Sequence, residues 1–98
     1  MPNEGQLSTD DVRAAALDGR VAEHPRGHLR QKGFKLEQVR RLLAFTQRVA
    51  RDRRLQHPEG WLAWTEDEFG RAYRIDFELA DSTQLVILVV TAMELEPV

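Results

Sequence analysis

The chain of 98 residues contains no cysteine. That excludes disulfides, thiolate nucleophiles and sulfur-ligated zinc, and it suits a reducing compartment such as the cytoplasm. Long apolar runs are also missing. The longest, residues 85–90, has six residues, whereas a membrane-spanning helix needs about twenty. The opening MPNEGQLSTDD carries neither the basic stretch nor the apolar core of a secretion signal, so no membrane partner is expected. There is no glycine-rich phosphate loop, dinucleotide fingerprint, nucleophile elbow or H-E-x-x-H helix, so neither a nucleotide cofactor nor a resident metal is expected. Aromatic residues make up only 7% of the chain, with Tyr73 the single tyrosine.

What remains is 42% hydrophobic and 31% charged, enough for one modest core in one domain. The net charge of −2 conceals a strong asymmetry. Residues 1–19 sum to −3, residues 20–54 to +8 and residues 55–98 to −7. A basic block between acidic ends suits either a phosphate-rich partner or helix faces whose charges pair with the acidic half.

Ser8-Thr9-Asp10-Asp11 supplies short polar oxygens for a helix start, which predicts a helix over residues 9–18 stopped by Gly19. A brief extended segment over 20–23 follows. A second helix is expected from Pro25 to Gly33, with Phe34 making the capping contact. Leu36, Val39, Leu42 and Leu43 form the stripe of a third helix. Beyond Ala44 the period becomes strand-like, with strands expected over 49–55, 61–65, 71–79 and 85–90. The last, apolar on both faces, reads as a central strand. The expected fold is α+β: two or three N-terminal helices on one face of an antiparallel sheet of about four strands. One domain over 8–93 is expected, with 1–7 and 94–98 as flexible ends.

His24 and His28 stand four apart, on one face if that segment is helical. Histidine titrates near neutrality, so the pair fits general acid–base work. It also fits half of a metal site with His57 as third ligand, or plain surface and capping roles. Alternation places Arg51 and Arg53 on one strand face, where with Arg74 they would clamp a phosphate or pair with Asp76 and Glu78. Trp61, Trp64 and Tyr73 are either stacking platforms for bases or core.

Residues 24–34, HPRGHLRQKGF, resemble the H-x-x-x-R-x-x-x-x-G-[IVF] helix of a small bacterial domain family grouped with the RelE/ParE-like toxins of toxin–antitoxin systems. The resemblance takes in Leu17-Asp18-Gly19-Arg20, residues 36–43, Gly70-Arg71-Ala72-Tyr73 and Val89-Val90-Thr91-Ala92, roughly residues 8–93. It implies a RelE/ParE-like fold, an antitoxin partner, and RNA or the ribosome as target. It matches His24, Gly33, Arg71 and Thr91 to the family positions, while the family's helix arginine is His28 here. The resulting expectation is a metal-independent endoribonuclease in which His24 or His28 moves the proton. Arg30, Arg53 and Arg71 would hold the phosphate, Arg40, Arg51 and Tyr73 would contact RNA, and Thr91 would orient a neighbour. The alternative is action by binding, either as a non-enzymatic module docking through the basic surface that includes Arg40 and Arg41 or through an exposed strand edge, or as a gyrase-inhibitor-like toxin.

Overall fold

A computed structural model describes residues 7–53, 60–81 and 83–96. Helix α1 (Thr9–Leu17) is followed by strand β1 (Val21–Glu23), a 3-10 turn (Arg30–Lys32) and helix α2 (Leu36–Leu43). Strands β2 (Arg48–Arg51), β3 (Gly60–Glu66), β4 (Ala72–Asp81) and β5 (Val86–Glu94) complete the α+β domain. The Ser8 hydroxyl accepts the Asp11 amide, and the Asp11 carboxylate accepts the Ser8 amide in return, so two free donors at the start of α1 are satisfied together. At its other end Gly19 takes φ +74°. The Gly19 and Arg20 amides then fold back onto the Ala16 and Ala15 carbonyls, closing the helix as a left-handed glycine does.

The sheet has five strands in the order β1-β5-β4-β3-β2, one more than expected. The extra strand is the brief segment after Arg20, three residues long, and it runs parallel to β5 with Val21 opposite Ile87. The sheet is therefore mixed, and β4, not β5, is its middle strand. The helix expected over 25–33 is absent. The His24 and His28 amides donate instead to the Val89 and Val90 carbonyls. These edge bonds to β5 hold the chain extended, and only residues 30–32 coil. The strand expected over 49–55 ends at Arg51. Residues 54–59, including His57, lie outside the described residues.

Alternation along the strands sorts the sheet into two faces. Trp61, Ala63, Tyr73, Ile75, Phe77, Ile87, Val89 and Ala92 are buried on the face that meets Val12, Ala15, Val39, Leu42 and Leu43 of the helices. The α2 end is anchored by polar groups: the buried Thr65 hydroxyl donates to Leu42 O at 2.6 Å, and Thr46 to Leu43 O at 2.6 Å. Arg13 donates to Thr46 O and Arg40 to Ala16 O, joining the helices to each other. A register shift between Asp76 and Phe77 sets Val89 opposite Phe77 but Thr91 opposite Asp76. This bulge turns Ala92 into the core and Thr91 to the other face.

Candidate functional site

The two histidines are brought to one edge of the sheet in different roles. Residues 25–27 arch away between the two edge hydrogen bonds and return because Gly27 has no side chain. A Cβ there would lie 2.8 Å from Val90 O and 3.1 Å from both His24 O and Val89 O. The arch directs the His24 ring across the sheet. Its Nδ1 accepts the Arg26 amide at 3.0 Å, and its Nε2 lies 3.2 Å from Glu78 Oε2. An amide can donate only to an unprotonated nitrogen, so the proton sits on Nε2 and points at Glu78. Both side chains are four-fifths buried, 18% and 20% exposed. Neither ring nitrogen of His24 is free.

His28 is exposed and differently disposed. Its Nδ1 lies 3.1 Å from Gln31 Oε1. With the amide oxygen as acceptor, Nδ1 is the donor, and Nε2 has no hydrogen-bond partner among the described residues. His24, His28, Arg30 and Gln31 line one cavity of about 310 Å³. Arg30 stands at its rim, 85% exposed and 3.4 Å from Glu23. Arg30 and Glu23 are the charged pair among the residues that line it, and Arg26 and Lys32 are close by in sequence but outside the lining.

The sheet face turned away from the helices adjoins this cavity through Glu78. Its cross-strand rows are Arg48–Trp64–Arg74–Met93 and Ala50–Leu62–Asp76–Thr91. Arg48 lies over the Trp64 ring at 4.5 Å, and Arg74 pairs with Asp76 at 3.0 Å. The Thr91 hydroxyl is buried and makes no hydrogen bond among the described residues.

The other residues singled out in the sequence are scattered. Arg71 sits at the far end of β4, over the Phe69 ring at 5.7 Å, seven residues or on the order of 23 Å from Glu78. Tyr73 is buried beneath Phe34, and its hydroxyl donates to Asp67 at 3.0 Å. Arg51 covers the Trp61 ring at 5.0 Å. That places it opposite a core-face residue, so Arg48 occupies the position beside Arg74 that alternation assigned to Arg51 and Arg53. Arg53 is exposed just past β2. Arg40 is paired with Glu37, and its hydrogen bond, aided by the charges of Arg40 and Arg41, holds the Glu37 carboxyl below the usual range. The +8 block is thus divided among several pairs and is not one patch. Sequence reasoning missed Gln31, and it set Glu78 against the strand arginines where the structure sets it against His24. Gln31 was accessible, three residues from His28 on one turn, but Glu78 meets His24 only through the strand order.

Among the described residues, no three His, Asp or Glu side chains gather in a way that would hold a metal ion, and no helix is long and apolar enough to cross a membrane. Comparison with family models, curated proteins and solved structures finds no match in any of the three.

Proposed function

We propose that the chain is an RNA-directed protein of the RelE/ParE-like toxin type, and that it cleaves RNA without a metal at the cavity of His28 and Arg30. The observation that carries the reading is a histidine with a free ring nitrogen, bonded to Gln31, beside an exposed arginine that lines the same cavity. Cleavage of this kind needs a base for the ribose 2′-hydroxyl proton and a cation for the charge that develops on phosphorus. His28 Nε2 takes the proton as the 2′-oxygen bonds to phosphorus. The bond from phosphorus to the 5′-oxygen breaks, and that oxygen takes a proton from water. The products are a 2′,3′-cyclic phosphate and a 5′-hydroxyl. Arg30 neutralises the phosphate, and a guanidinium suits it better than an ammonium because its fork meets two oxygens.

His24 serves as a positioning residue: its ring, fixed between the Arg26 amide and Glu78, holds the arch from which His28 projects. The same reading makes an antitoxin the natural protein partner. Tightly induced expression in a bacterial host tests it. Growth arrest by the wild type, but not by His28→Gln at matched protein level, supports cleavage at this cavity. Arrest by both moves the action to binding, and arrest by neither removes the toxin reading.

A further inference from the structure

The His24 ring ties residues 25–27 to the sheet through one titratable nitrogen. Its Nδ1 accepts the Arg26 amide at 3.0 Å, and its Nε2 faces Glu78 Oε2 at 3.2 Å. The first contact needs a lone pair on Nδ1, so it exists only while the ring is neutral. The second survives protonation and becomes charge-assisted. A proton added to the ring therefore sets an Nδ1–H against the Arg26 N–H, donor facing donor, while Nε2 stays pinned by Glu78. The ring holds and the Arg26 amide gives way. The feet of the arch stay in place, because the His24 and His28 amides donate to Val89 O and Val90 O. The Gly27 amide also keeps its bond to His24 O at 2.9 Å. What is loosened is the short stretch of Pro25 and Arg26, and Pro25 lines the cavity of about 310 Å³ that also holds His28.

We infer that His24 is a pH-sensitive clasp on the wall of this cavity, closed when its ring is neutral and open when the ring is protonated. Histidine is the side chain that changes charge between about pH 5 and 8. The wall is accordingly firmer at the upper end of that range and looser at the lower end. Among the described residues, β4 brings Glu78 to the ring, and Asp76 on the same strand face is paired with Arg74 at 3.0 Å. Strand β1 brings Glu23, with Arg30 3.4 Å from it. The arch itself carries Arg26, with His28 at its far foot. The part of β5 beside the arch, Val89 and Val90, carries no charge. His28 is the other histidine here, and its ring is bonded to the Gln31 side chain, not to the arch backbone. The clasp does not rest on the RNA reading.

An NMR titration of the folded wild type from about pH 8 to about pH 5 tests it, following the His24 and His28 rings beside the backbone amides. The Arg26 amide proton should move upfield with the midpoint of the His24 ring. Its protection against hydrogen exchange should fall about tenfold, the scale of one hydrogen bond. The Gly27, His28 and α1 amides should keep their protection. His24→Asn separates the contact from the charge. An asparagine oxygen accepts the amide two residues on but takes up no proton, so the Arg26 amide should stay bonded throughout. His28→Gln should leave the wild-type response in place. An Arg26 amide that stays unchanged while the His24 ring titrates overturns the proposal, and the wild type alone decides this. So does a His24 ring that takes up no proton over the range, an Arg26 amide that follows the His28 ring, or one that still responds in folded His24→Asn.

Discussion

His24 Nε2 lies 3.2 Å from Glu78 Oε2 while the Arg26 amide occupies the opposite ring nitrogen. A histidine bound on both sides holds structure together, whereas one with an exposed nitrogen is available to a substrate. The two histidines should therefore separate experimentally. His24→Ala removes a mostly buried polar pair and should cost about 1–3 kcal/mol in urea unfolding. His28→Ala should fall within about 0.5 kcal/mol of the wild type, as exposed positions do, yet lower RNA cleavage by roughly 10²–10⁴-fold. The reverse pattern would assign the roles the other way.

Gly27→Ala should destabilise the protein by about 1–3 kcal/mol, since the added methyl meets backbone oxygens that cannot rotate away. The strain falls on the arch, so the His24 ring resonances should shift by NMR while the α1 amides do not. An unchanged His24 environment would show that the close approach to Val90 does not fix the loop.

Thr91→Val replaces a buried hydroxyl that has no partner among the described residues with a methyl of similar size. Stability should rise by about 1 kcal/mol in thermal or urea unfolding. A loss of stability would mean that the hydroxyl is bonded in solution. Loss of cleavage with stability gained would return Thr91 to the role implied by the resemblance.

Asp67 links the turn to pH. Burial acts to raise its carboxyl, but the Arg71 amide, Tyr73 hydroxyl and Phe69 amide together hold it below the ordinary range. A depressed carboxylate contributes stability above its unfolded value and loses it as pH falls through the folded one. Wild type should therefore lose more stability than Asp67→Asn on acidification below about pH 4. Tyr73 is displaced upward, first by burial and then by the bond to Asp67. Its contribution is present below the ordinary phenol value and lost as pH rises through the raised one. Tyr73→Phe should accordingly flatten the alkaline limb of the stability profile. Parallel profiles for variants and wild type would contradict the assignment.

The sequence made the locally determined elements legible. The Ser8 cap, the Gly19 stop, the stripe from Leu36 to Leu43 and the alternation of Tyr73, Ile75 and Phe77 all depend on near neighbours, and the structure shows them. Residues 25–33 carry helix-boundary signals at Pro25 and Gly33, but the hydrogen bonds that hold them extended come from β5, more than sixty residues away. The parallel pairing of β1 and the bulge that reorients Thr91 are likewise long-range. His28 and Arg30 could be singled out from residue type. Glu78 could not, because its meeting with His24 depends on which strands are neighbours.

The most direct measurement is incubation of purified protein with total RNA in the presence of a chelator, followed by analysis of the product ends. The account predicts fragments with 2′,3′-cyclic phosphate and 5′-hydroxyl termini from the wild type, and intact RNA with folded His28→Gln. Intact RNA with the wild type, or equal cleavage by the variant, would contradict it.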